Sequence, residues 1–183
     1  MDAAVIRLFA HLVVVLYALL AAAPVFAQAE RELEIKAAYL YKFGAFVEWP
    51  PSAFAGPDGA FIIGVVGADA LAAELERVVS GRPIQDRSVV VRRLRRGEPF
   101  GRLHVLFVGQ AEAARLPEIL AAAKGQGVLT VTETDNALAQ GSMINFVAVE
   151  QKVRFDVALP PAERDKLKIS ARLLAVARKV VTG

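Results

Sequence analysis

Residues Ala37–Pro51 read AAYLYKFGAFVEWPP, and the rest of the chain has to accommodate this stretch. Tyr39, Tyr41, Phe43, Phe46 and Trp49 fall within eleven residues of a chain with one tryptophan and three tyrosines, so its aromatic surface is concentrated here. Each aromatic buries a large area at small entropic cost, which suits it to cores and interfaces. Ile35, Tyr39, Phe43, Phe46 and Trp49 recur at helical spacing and predict a helix with one stripe turned to a core. Leu40, Tyr41 and Val47 lie off that stripe as a second apolar edge. Pro50 and Pro51 cannot continue a helix and mark its end. One face of such a helix covers a sheet. Its other edge, with Tyr41, Lys42, Glu48 and Trp49, is a candidate protein-binding surface.

Toward the C-terminus the pattern alternates. Phe61–Val66 is an apolar run of strand length, Gly67 turns the chain, and Asp69 stands to cap a helix whose stripe is Leu71, Leu75 and Val78. Gly81 stops that helix. Val89–Val91 is a second strand, and Leu103–Val108 a third, hydrophobic enough for the middle of a parallel sheet. Pro117–Lys124 is helical, with Leu116, Ile119 and Leu120 inward, and Val128–Thr132 is a fourth strand. Strands alternating with helices predict one α/β domain with a mixed, mostly parallel sheet of about six strands flanked by helices. Met143–Val149 and Val153–Leu159 are separated only by Glu150, Gln151 and Lys152, so they form an antiparallel hairpin rather than a crossover. Pro160 and Pro161 open a closing helical region, with Ser170 as a cap and Leu173, Val176 and Val180 inward.

Toward the N-terminus, Leu8–Ala23 is almost wholly apolar behind Arg7, and Val25–Ala27 offers small residues for processing, with Ala27–Ala29 as a second site. Residues 1–27 read as a cleaved export signal, and the domain occupies 30–183. The signal carries one arginine and one aspartate, so the mature net charge stays at +3. The chain has no cysteine. Thiol catalysis, thiolate metal sites and disulfides are therefore excluded, and the exported domain is held together by its core alone.

Catalytic chemistry is scarce. His11 leaves with the signal, so His104 is the one mature histidine, and it sits inside an apolar strand as a neutral core or edge residue. Glu133 and Asp135 are too few for a calcium loop. No cofactor or metal site is expected. GVVGADAL, at Gly64–Leu71, has two glycines at the wrong spacing for a nucleotide turn, and Asp69 would repel a phosphate. The carboxyl ends of parallel strands nevertheless form a crevice, which Gly67, Gly109, Gln110, Thr132 and Asp135 would line as a possible small-ligand site. Arginines at 82, 87, 92, 93, 95, 96 and 102 are offset locally only by Asp86 and Glu98. They protect a sheet edge, or Arg92, Arg93, Arg95 and Arg96 meet an acidic partner surface, anionic lipid or cell-wall polymer. No aromatic interleaves them for stacking, and an exported protein does not meet nucleic acid.

Three motifs in order carry a family resemblance. KAAYLYKFGAFVEWP (Lys36–Pro50), GSMINFV (Gly141–Val147) and KVRFDVALPPAERDKLKISARLLAVA (Lys152–Ala177) resemble the YfiR-type family of periplasmic regulators, over about Glu34–Val180. The resemblance implies a non-enzymatic, homodimeric periplasmic protein. Such a protein binds the periplasmic sensor domain of an inner-membrane diguanylate cyclase and holds it off. Cyclic di-GMP and biofilm output then stay low. An outer-membrane, cell-wall-binding lipoprotein sequesters the regulator and releases the cyclase. Family members often carry redox-responsive cysteine pairs, which this chain lacks. The competing reading is a periplasmic small-ligand-binding sensor or transport accessory that uses the strand-end crevice.

Overall fold

The computed structural model describes residues 28–54 and 59–183. The expected signal, 1–27, lies outside the described residues. Helix α1 covers residues 28–46 and is followed by β1 (Val47–Glu48). Then come β2 (Phe61–Val66), α2 (Asp69–Val79), β3 (Val89–Leu94) and β4 (Val105–Val108). A 3-10 segment (Gln110–Arg115) leads into α3 (Leu116–Ala123) and β5 (Leu129–Thr132). The chain closes with β6 (Ile144–Val149), β7 (Lys152–Ala158), α4 (Leu159–Arg164), β8 (Lys168–Ile169), α5 (Ala171–Val176) and β9 (Lys179–Val181).

Seven strands form one sheet in the order β3-β2-β4-β5-β6-β7-β9. The ladders from β3 to β6 are parallel, β7 is antiparallel to β6, and β9 is parallel to β7. The α/β class, the mostly parallel sheet and the hairpin are as the sequence pattern predicts. Glu150 and Gln151 turn the hairpin with φ of 49° and 59°, the left-handed pair that a two-residue loop between twisted strands requires.

The alternation of side chains divides the interior in two. Phe61, Ile63, Val65, Val105 and Phe107 face α1 and α2, while Val66, Leu106 and Val108 face α3. The sheet is thus covered on both faces, as a parallel sheet requires. Among the described residues, β3 and β9 are the edge strands of this sheet.

The aromatic helix differs from its sequence reading. It stops at Phe46, four residues before Pro50, and Trp49 lies beyond it. Gln85 donates its side-chain amide to Gly44 O (3.2 Å) and Val47 O (2.9 Å), and Ser170 N–H donates to Phe46 O (3.0 Å). These bonds take up carbonyls that the end of a helix leaves open. The stripe turned to the sheet is Ala37, Leu40, Phe43 and Val47, all at most 1% exposed. Leu40 and Val47 are therefore core, not a second edge. The closing segment makes this possible: β8 pairs with β1, and Ile169, Leu173 and Leu174 pack against the same cluster, so α1 is buried on more than one side. Gly44 permits the close approach, since a Cβ there would lie 2.7 Å from Ile84 Cδ1 and 3.2 Å from the Phe61 ring.

Smaller differences have equally local causes. Asp69 does not cap α2; Ala68 holds the cap position and Asp69 opens the first turn, where its charge favours the helix dipole. Ser170 does cap α5, its Oγ accepting from Leu173 N (3.3 Å). Leu173 is buried but Val176 is 61% exposed, and Val180 belongs to β9 rather than to a helix. An apolar residue is placed in a strand rather than on a helix stripe when a sheet edge is within reach, and β7 offers that edge.

Candidate functional site

The strand-end crevice expected from topology is closed. The chain leaves β2 toward β3 on one side and returns to β4 on the other, so a ligand would sit beyond Gly67 and Gly109. Those glycines instead pack on each other: a Cβ on Gly109 would lie 2.3 Å from Gly67 O. A Cβ on Gly67 would meet Glu112 Cγ at 2.8 Å. Glu112 is 5% exposed and is held by Arg96 (3.1 Å) and Arg115 (3.3 Å) from the surface, so its buried carboxylate side chain fills the place of a ligand. Thr132 is fully buried, with its hydroxyl bonded to Ser142 Oγ (2.9 Å) and Asn145 Oδ1 (2.7 Å).

Gln110 and Asp135, the other two expected residues, border a cleft of ≈ 1230 Å³ further along the sheet, between the start of α1 and the β6–β7 hairpin. Its polar centre is Lys36, which donates to Glu133 Oε2 (2.7 Å) and pairs with Glu32 one turn earlier. Glu133 Oε1 in turn accepts from Gln110 N (3.0 Å). Burial pulls the Lys36 ammonium down, but the Glu133 and Glu32 bonds outweigh it and hold its pKa above the usual lysine value. Arg178 grips Asp156 through both carboxylate oxygens at the same cleft, with Nε–Oδ1 at 2.7 Å. Lys36 and Arg178 thus each have a counter-ion, while Lys152 lines the same cleft with no ion pair among the described residues. The Glu32–Lys36 spacing was readable as an i,i+4 pair, but Glu133 and Arg178 reach the cleft only through the tertiary fold.

His104 is a core residue, as expected. Its ring stacks between Phe54 (4.6 Å) and Phe61 (4.7 Å), and Nδ1 accepts from Ile62 N–H (2.9 Å). That bond requires a neutral ring protonated at Nε2. Burial, with the Arg87 and Arg102 charges added, pushes the imidazole down to about 4, while the backbone at Ala53 opposes the shift without reaching hydrogen-bonding geometry at Nε2. A histidine so held is a structural clasp and not a proton shuttle at neutral pH.

The residues expected to meet a partner sort into two groups. Trp49 is 8% exposed and donates Nε1–H to His104 O (3.2 Å), so it belongs to the core and not to the surface edge. Lys42 and Glu48 are exposed. Tyr41 is half-buried; its hydroxyl donates to Pro83 O (3.0 Å) and the Arg82 guanidinium lies 4.6 Å over its ring. This places Tyr41 beside the arginine-rich stretch. Strand β3 runs on to Leu94, so Arg92 and Arg93 lie in an edge strand. Arg92 pairs with Glu98 (3.2 Å), Arg93 with Glu76 (2.8 Å) and Arg96 with Glu112 (3.1 Å). Arg95 makes no ion pair among the described residues; its backbone N–H donates to Glu98 Oε2 (3.0 Å). That bond, with the Arg92 guanidinium, holds the Glu98 carboxyl below its usual range. The fold thus joins Tyr41, Arg82 and the β3 edge into one continuous surface, a juxtaposition that no sequence spacing reveals.

Comparison with curated proteins gives no match. Among solved structures, the crystal structure of a conserved domain protein from Vibrio cholerae O1 biovar eltor str. N16961 is similar in fold, with a TM-score of 0.54 at 11% identity. The match covers 65% of this chain and 54% of that one, so this chain spans about half of that protein's length. A likeness at that identity speaks for the fold alone. The family comparison reaches further, because residues 33–178 match the model of the YfiR/HmsC-like family, DUF4154. This range takes in the aromatic stretch, every strand but β9 and the Asp156–Arg178 clasp, and the chain belongs to the YfiR/HmsC-like family.

Proposed function

We propose that this chain is a periplasmic regulatory protein. After loss of residues 1–27, the domain at 30–183 binds the periplasmic sensor domain of an inner-membrane diguanylate cyclase and holds it inactive, which lowers cyclic di-GMP and biofilm formation. Family membership over residues 33–178 is the observation that carries this reading. The energetics require only that the chain bind the inactive cyclase better than the active one. A homodimer, and release by an outer-membrane cell-wall-binding lipoprotein, complete the proposal. A non-enzymatic role fits the site chemistry: the one mature histidine is committed to the core, and Lys36 and Arg178 at the cleft are held by Glu133 and Asp156.

The Tyr41–Arg82–β3 surface is the favoured partner-binding region, with Lys42 and Glu48 beside it. The cleft bordered by Gln110 and Asp135 supports a second reading, a periplasmic sensor of a small polar ligand. The two separate in one experiment. The exported chain is titrated against the purified periplasmic segment of each membrane diguanylate cyclase of the same genome. Saturable binding to one of them supports the regulator. Binding to none, with a thermal shift from periplasmic solutes that Gln110→Ala abolishes, supports the sensor.

A further inference from the structure

The edge strand β3 has neither a proline nor a bulge. Val89, Val90 and Val91 form its first half, and Val90 is 43% exposed, one of the few large apolar side chains so exposed among the described residues. Phe61 N–H donates to Ser88 O (2.8 Å). With the two-residue alternation of a strand, Ser88, Val90 and Arg92 direct their backbone groups at β2. The N–H and C=O groups of Val89, Val91 and Arg93 then point outward with no strand among the described residues to receive them. Free edges are commonly guarded by unpaired charge. Here the two arginines within the strand are already neutralised, Arg92 by Glu98 and Arg93 by Glu76, and both are drawn toward neighbouring elements.

Positive charge is instead left at the two ends of the edge. Arg95 lies just beyond the C-terminal end of β3 without an ion pair among the described residues. Arg82 lies near its beginning, stacked on the face of Tyr41 and without an ion pair among the described residues. Between α2 and the strand, a groove of ≈ 520 Å³ lined by Val79, Arg82, Pro83, Val89 and Val91 runs alongside the valines. The whole stretch from 82 to 102 carries seven arginines against one aspartate and one glutamate.

We infer that the β3 edge accepts an extended strand from a partner protein, one with β-branched residues at its centre and acidic residues at its ends. The added strand takes its main-chain hydrogen bonds from Val89, Val91 and Arg93, sets alternate side chains into the groove, and meets Arg82 and Arg95 with its acidic ends. This deepens the regulatory reading by naming the surface and the chemistry of the segment it captures, and it rests on that reading for the identity of the partner.

The test uses the exported chain and three fluorescent nine-residue peptides. One has valine and threonine flanked by glutamates. The second has lysines in place of the glutamates, and the third is the acidic peptide N-methylated at alternate amides. Anisotropy should show binding of the acidic peptide, about tenfold weaker binding or worse for the lysine peptide, and loss on N-methylation. Val91→Pro removes one outward N–H and should abolish binding while the far-ultraviolet spectrum is kept. Arg82→Glu with Arg95→Glu, both at the surface, should reverse the preference between acidic and basic peptides. Equal binding of the two peptides, or undiminished binding by Val91→Pro, overturns the inference. So does a self-association that Val91→Pro disrupts, since it would assign the edge to a second copy. Cyclase binding that survives both variants sinks the β3 assignment alone, whereas peptide binding with no cyclase bound sinks the regulatory reading alone.

Discussion

Acidification should weaken this fold through His104, and the amount can be worked from its surroundings. The ring is 1% exposed, stacked between two phenylalanines, and committed as an acceptor to Ile62 N–H. Its folded pKa is lowered from 6.5 to about 4. The unfolded chain therefore takes up a proton as pH falls through 6.5, while the folded chain resists until about 4. Protons in that window favour the unfolded state. The stabilisation is complete above 6.5, is lost progressively as pH drops toward 4, and changes no further below. At 1.36 kcal/mol per unit, a gap of this size is worth ~3 kcal/mol. Carboxylates titrate in the same range, so the assay is a difference: urea unfolding at a series of pH values for the wild type and for His104→Gln. The variant is less stable throughout, because it loses the ring stack, but its curve should fall less steeply by ~3 kcal/mol across the window. Parallel curves for the two proteins, or an imidazole that titrates near 6.5 in the folded state by NMR, would refute the buried-clasp account.

Other expectations follow from contacts already described. Gly109→Ala drives a Cβ to 2.3 Å from Gly67 O, a backbone atom with no rotamer to yield, and should cost about 3 kcal/mol or more in a chemical melt. Phe43→Ala empties the ring cluster with Tyr39, Phe146 and Phe155 and should cost ~3–5 kcal/mol of stability. Tyr41→Ala loses one hydrogen bond and one cation stack, about 1–2 kcal/mol, so it should melt only a few degrees early yet weaken partner association. A Tyr41→Ala protein that unfolds outright would show the residue to be core. With no cysteine in the chain, dithiothreitol should leave the melting temperature unchanged. Mass spectrometry of the envelope-released protein should find a start at Gln28 or Glu30, and intact Met1 in the membrane fraction would contradict export.

The parts of the fold that the sequence displays are those set by local pattern. Phe61–Val66, Leu103–Val108 and Val128–Thr132 are short apolar runs between turn residues, and burial on both faces needs nothing else to be read. The hairpin was legible from the length of its link alone. What could not be read depends on segments far apart in the chain. Leu40 and Val47 look surplus to a one-sided helix, and only the return of Lys168–Leu174 gives them a second wall. Gly67 and Gly109 invite a ligand by topology, and only the placement of Glu112 shows the space to be filled. Trp49 reads as the end of a stripe because nothing local signals that Gln85 will end the helix early. The candidate surface suffered in the same way. Tyr41 and the arginines were each visible, but their adjacency arises from the contacts of Tyr41 with Arg82 and Pro83.

The central claim is that this chain restrains a membrane diguanylate cyclase from the periplasmic side. The most direct measurement is the cellular cyclic di-GMP concentration in three otherwise identical strains: one lacking the gene, one expressing the full chain, and one expressing residues 28–183 without an export signal. The account predicts that deletion raises cyclic di-GMP, that the full chain restores the low level, and that the unexported form leaves it high. An unchanged level on deletion, or full restoration by the form that never crosses the membrane, would contradict it.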